Sequence, residues 1–214
     1  MTRWLGVALL PRADHLHAAV QLQRDIGGEV MLQPVLHPNG NLPHVTVFQG
    51  PFSDSLAPEA ALEVISASMD GSGLCSEISL TSMGLVYQPT GWLFLALERP
   101  PLLEVLQKAA LAVLERHLDW AFDEDEDEDK DMSRFTDDER ISYERYGYRY
   151  TGTAYAPHVT LGRTEESTAL ELVRTARGGV TLPRQWTFDR LSFYVMGEDG
   201  AHAKTLLERP LGQA

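Results

Sequence analysis

PHVTVFQG, residues 43–50, and PHVTLGRT, residues 157–164, are two versions of one phrase set more than half the chain apart. Each runs proline, histidine, valine, threonine and then an apolar residue. Side chains in a strand alternate between faces, so His44 and Thr46 project to one side while Val45 and Val47 project to the other. His158 and Thr160 stand in the same way against Val159 and Leu161. Each copy therefore offers one imidazole and one hydroxyl side by side over an apolar backing.

The surroundings of the phrase repeat too. Ahead of the first copy, residues 4–10 read as a buried strand and 15–26 as a helix stopped by Gly27 and Gly28. After it come a helix over 58–69, a hairpin of strands 76–87 and 92–98 around 88–91, and a helix over 101–117. After the second copy come a helix over 165–177 and strands 187–196 and 203–207 around 197–200. The order strand, helix, strand, turn, strand thus occurs in both halves. LERP recurs at 97–100 and 207–210, 53 and 49 residues beyond the respective histidines. Two matched pairs in one order predict an internal duplication and two similar lobes. If an approximate twofold relates the lobes, the two His-Thr pairs face each other across a cleft.

Composition sets limits on the function. The chain has 214 residues, 43% of them hydrophobic, enough for a substantial core. Its one cysteine, Cys75, excludes a disulfide framework within the monomer and a Cys-rich zinc site, and reads as a buried small residue. No apolar stretch approaches the ~18 residues that cross a bilayer, so a soluble cytoplasmic protein without membrane contact is expected. The net charge of −13 argues against a long nucleic acid as partner, because such binding rests on basic side chains at phosphates. Seven of those net charges fall in Asp123–Asp131, DEDEDEDKD. Like charges repel and nothing there can fill a core, so residues 119–134 read as an acidic mobile loop between the halves of a single domain, 1–214.

Two imidazoles and two hydroxyls suit phosphoester cleavage. In-line displacement places the attacking and leaving oxygens on opposite sides of phosphorus, so a base and an acid must stand opposite each other. Histidine serves either role, since its ordinary pKa of about 6.5 lets both forms coexist near neutrality. Threonine hydroxyls can hold the non-bridging oxygens.

Two H-x-[ST]-x motifs in a duplicated chain of this length resemble the 2H phosphoesterase superfamily, which includes 2′-5′ RNA ligase-like proteins and cyclic phosphodiesterases. The resemblance implies an α+β fold in which each pseudo-symmetric lobe is an antiparallel sheet with outer helices and the active-site cleft lies between them. It implies metal-independent hydrolysis, without cofactor, of a small cyclic-phosphate or 2′-5′ linked nucleotide or short oligonucleotide. His44 and His158 become the catalytic acid/base pair, and Thr46 and Thr160 the phosphate ligands. Arg163 resembles the arginine that often follows the motif and offers a phosphate contact or a surface ion pair. It would fall on the opposite face of a continued strand unless Gly162 ends or twists that strand. Phe48, in phase with His44 and Thr46, and Tyr155, ahead of the second motif, are the candidates for stacking on a base. Tyr148 and Tyr150 read as residues of an ordinary half-buried strand. His15 and His17 share a helix start without facing one ligand and are expected at the surface. His37, His117 and His202 have no partner pattern, so no metal site is expected. Two other functions remain open: RNA end processing or 2′-5′ ligation, and a non-catalytic module in which the His-Thr pairs only hold phosphate.

Overall fold

The computed structural model describes residues 2–70, 77–119 and 132–212. Cys75 and the acidic run 123–131 lie outside the described residues. Among the described residues the strands are β1 (Arg3–Pro11), β2 (Val45–Phe52), β3 (Ile78–Gln88), β4 (Trp92–Leu97), β5 (His158–Arg163), β6 (Gln185–Met196) and β7 (His202–Pro210). The helices are α1 (Ala13–Gly27), α2 (Pro58–Asp70), α3 (Pro101–Leu114), α4 (Asp137–Tyr146) and α5 (Glu166–Gly179).

The α+β class and the antiparallel pairing agree with expectation, but the separation into lobes is a different matter. The strands form one sheet in the order β1-β2-β5-β4-β3-β6-β7, and β1 also pairs with β6. Among the described residues a clear pseudo-symmetric split into two lobes is not shown. Two short ladders join the β2-β1-β6-β7 part to the β5-β4-β3 part: one registered pair, Val45 with Val159, and the four pairs between Ile78–Thr81 and Gln185–Phe188. Local sequence cannot reveal such pairings, because they join strands far apart in the chain.

β1 is central, held by β2 on one edge and β6 on the other, and its residues from Leu5 to Pro11 are all buried. A near-continuous apolar run is what a strand covered on both faces requires. α1 packs on β1 and β5, α5 lies over β3 and β4, and α2 and α3 pair with each other, α3 covering β2 and α2 reaching β6 and β7. Among the described residues no helix is long and apolar enough to cross a membrane. α4 was not apparent from apolar periodicity. Its start is nonetheless written in the sequence as a capping box: the Thr136 hydroxyl accepts from the Glu139 N–H, and the Glu139 carboxylate accepts from the Thr136 N–H.

Small residues of β1 make room for the site. Gly6 sits in register between Gln49 of β2 and Tyr194 of β6, and a Cβ there would come within 2.5 Å of the Tyr194 ring. Tyr194 can therefore lie across Gly6 and donate its hydroxyl to Gln49 Oε1 at 2.9 Å. One row further on, Ala8 separates Thr46 from Ser192 in the same way.

Candidate active site

The two His-x-Thr phrases lie side by side on neighbouring strands. Val45 and Val159 are antiparallel partners, so His44 stands across from Thr160 and Thr46 across from His158. Both valines are fully buried, which turns the four polar side chains to the opposite, open face. The expected cleft between facing lobes is thus a square of two imidazoles and two hydroxyls, centred on one strand pair.

Both histidines are held alike. His44 Nδ1 lies 2.8 Å from the Leu42 carbonyl oxygen, and His158 Nδ1 lies 2.7 Å from that of Ala156. A carbonyl only accepts, so each Nδ1 carries the proton and each Nε2 is left for a ligand. The proline of each phrase explains the match: it confines the residue before it to extended backbone, which fixes the carbonyl two residues upstream of the histidine. Both imidazoles are lowered to about 4, chiefly by desolvation and against the bond to the upstream carbonyl, which raises each; His44 and then Arg149 add to the lowering of His158 within that value. In this environment both histidines are therefore neutral at neutral pH.

Each strand carries an extra residue directly after its threonine. Opposite β1 the register steps from Thr46 to Phe48, leaving Val47 unpaired; opposite β4 it steps from Thr160 to Gly162, leaving Leu161 unpaired. Such a bulge reverses the parity of the residues beyond it. Gln49 and Arg163, each five residues beyond its histidine, therefore share the face of the histidines. Of the two placements left open for Arg163, the interrupted strand at Gly162 gives the one on the histidines' face. Gly162, at φ 123°, supplies the backbone that the step requires, and a Cβ there would meet Leu32 Cβ at 2.8 Å. The Arg163 guanidinium donates to the Thr90 carbonyl at 2.9 Å, lies 3.4 Å from Asp199 and packs over the Trp92 ring.

The same bulge overturns the reading of Phe48. It is fully buried against Phe52, Tyr146 and Tyr148, so no base can stack on it. Tyr155 is also buried, with 3% of its surface exposed, and its hydroxyl donates to the Thr46 carbonyl. The aromatic lining comes from elsewhere. Phe94 stacks on His158 with centroids 3.9 Å apart, and Tyr150 meets the same ring edge-on at 5.2 Å. Tyr148 and Tyr150 come after α4 without forming a strand. The Thr46 hydroxyl is within hydrogen-bonding reach of Tyr148 and Tyr194, whose own hydroxyls are pushed to higher pKa by burial.

His202 is the main residue that sequence reasoning missed. It is 1% exposed, donates or accepts through Nε2 with the Ser192 hydroxyl at 2.9 Å, stacks on Tyr194 at 4.3 Å and meets His44 edge-on at 5.5 Å. Nothing near it in sequence signals this. His15 also departs from expectation: it is half-buried, accepts from the Thr187 N–H and packs on Trp186. His17 is exposed, as expected. Together His44, Thr160 and His202 line one cleft with Pro34, Leu36, Asn41, Leu42, Asp199, Gly200 and Ala201. Among the described residues no group of three or more histidine, cysteine, aspartate or glutamate side chains gathers as a metal site requires.

Two buried glutamines secure the bulges. Gln23 of α1 donates to the Leu161 carbonyl at 2.9 Å and to the Pro34 carbonyl, while its oxygen accepts from the Leu36 N–H. Gln107 of α3 donates to the Val47 carbonyl at 3.2 Å and to the Tyr150 carbonyl, while its oxygen accepts from the Gly152 N–H. Each glutamine thus ties the bulged residue of one phrase to the loop that leads into the other. A polar residue in the apolar stripe of each helix was the available signal. Replacing Gln107 by leucine leaves these backbone groups buried without partners, and an unmade buried hydrogen bond costs ~1–3 kcal/mol. The expected result is a lower urea midpoint at unchanged slope; an unchanged midpoint would show that the bulge holds without the amide.

No protein-family model matches the sequence, and no curated protein matches it. Solved structures do. E. coli LigT in its apo form aligns over 99% of this chain and 99% of its own, with a TM-score of 0.53 at 14% identity. Kluyveromyces marxianus Usb1 aligns over 98% of each chain with a TM-score of 0.50, also at 14% identity. At this identity the likeness is one of fold. The chain has the fold of LigT and of Usb1.

Proposed function

We propose that the chain, acting as one catalytic unit over residues 1–214, is a phosphodiesterase that opens a 2′,3′-cyclic phosphate or a 2′-5′ linkage of a small nucleotide, with His44 and His158 as the proton-transfer pair. The observation that carries this reading is the matched presentation of the two imidazoles, each with Nδ1–H tied to the carbonyl two residues upstream and Nε2 free. A nucleotide phosphate enters between them and its negative charge favours imidazolium, so one histidine gains a proton as substrate binds. The other, neutral, takes a proton through Nε2 from the attacking water while its oxygen bonds to phosphorus. The bond from phosphorus to the ribose oxygen breaks, and the imidazolium gives that oxygen its proton. Thr46 and Thr160 donate to the non-bridging oxygens, and Arg163 adds a cation on the same face.

The test is turnover of the four nucleoside 2′,3′-cyclic monophosphates with EDTA present, the position of phosphate in the product being read by chromatography. The expected result is metal-independent opening to a single monophosphate isomer. Activity abolished by EDTA and restored by a divalent cation would overturn the two-histidine reading. Tight binding of a cyclic phosphate with no turnover would replace it by a module that only holds nucleotide.

A further inference from the structure

A carboxylate stands in this anion-binding cleft. Asp199, in the turn between β6 and β7, lines the same cleft as His44 and Thr160. Its backbone is left-handed, at φ 56° and ψ 30°, a conformation that aspartate tolerates better than most residues but that still disfavours an L side chain. The polar contact of its carboxylate among the described residues is with Arg163 Nη1 at 3.4 Å, long for a charge-assisted bond. Arg163 is held independently by the Thr90 carbonyl and the Trp92 ring, so its place does not depend on Asp199.

A negative charge there repels a phosphate unless it meets donors on another part of the ligand. The neighbouring walls are apolar, as the faces of a base require: Pro34, Leu36, Leu42 and Ala201 line the same cleft. Resting on the proposed reaction, we infer that Asp199 is a specificity-determining residue that accepts hydrogen bonds from a nucleobase presenting two adjacent N–H donors, as guanine does on its Watson–Crick edge. The other bases match a carboxylate less well. Adenine and cytosine place an acceptor beside their single amino group, and uracil places its one N–H between two carbonyls. Two parallel N–H groups meeting two carboxylate oxygens is the geometry that makes arginine–carboxylate pairs selective.

The experiment is kcat/KM for the four nucleoside 2′,3′-cyclic monophosphates, with calorimetric affinities for the four monophosphate products, on the wild type and on Asp199→Asn. Asparagine retains tolerance of the left-handed backbone, so the variant is expected to fold, and thermal unfolding checks that it does. The wild type is expected to favour guanosine by about tenfold or more, the size of discrimination that a bidentate pair gives. Asp199→Asn is expected to bring guanosine down towards the other three. Equal use of all four bases by the wild type would overturn the inference and leave the proposed reaction standing. A loss in Asp199→Asn that is proportionate across the four bases would also overturn it, assigning Asp199 only to holding Arg163. Neither turnover nor binding of any of them would overturn both.

Discussion

Replacing His44 or His158 by alanine is expected to lower kcat on a cyclic phosphate by about 10²–10⁴-fold in each case, the range that one positioned proton-transfer group contributes. The double variant loses little beyond the worse single, because the two imidazoles serve one displacement and a step that lacks its base gains nothing from its acid. On the proposed reaction KM is expected to change less than kcat, with Thr46, Thr160 and Arg163 left in place to hold the phosphate. The register supports treating the histidines as one unit: they sit diagonally across the Val45–Val159 pair, each opposite the other's threonine. Single-turnover rates for the two single variants and the double variant test this. A variant of either histidine that retains more than about a tenth of wild-type kcat would remove that residue from the chemistry.

The strands and helices around this square were legible where their cause is local. β1 announced itself as an unbroken apolar run, and α2 and α3 by their opening prolines and apolar spacing. The His-x-Thr phrases were legible because alternation holds over three residues. It failed two residues later. The bulges at Val47 and Leu161 reverse the parity, which sent Phe48 into the core and brought Arg163 and Gln49 to the face of the histidines. Gly162 hinted at the second bulge, whereas Val47-Phe48-Gln49 carries no such hint. His202 and Asp199 were illegible for another reason. They reach the site through pairing of β6 with β1, a contact between segments some 180 residues apart, which local patterning does not encode. The same long-range ladders close the two expected lobes into one sheet.

Acid is expected to destabilise the protein more steeply than its carboxylates alone would make it, with the three buried histidines His202, His44 and His158 as the source. An unfolded histidine titrates near 6.5. In the folded chain desolvation, with a smaller contribution from the nearby His44, holds His202 at about 3; His44 and His158 are held at about 4. Between those values and 6.5 the unfolded chain binds protons that the native one refuses, so stability rises with pH across that window. Stability from this source is fully present above about pH 6.5 and is lost as pH falls through the folded values. His202, 1% exposed, accounts for a loss on the order of 3 kcal/mol between pH 6.5 and 4. His202→Phe keeps an aromatic ring on Tyr194 but cannot bind a proton. It also loses the bond to Ser192, a pH-independent cost of ~1 kcal/mol. The variant should therefore start less stable than the wild type at pH 7 and overtake it as the pH approaches 4. Urea unfolding of both chains across this range reads the difference directly, with other titrating groups cancelling in the comparison. Parallel stability curves would mean that His202 takes up its proton in the folded state as readily as in water, and that the histidine cluster beside His44 is wetter than its burial implies.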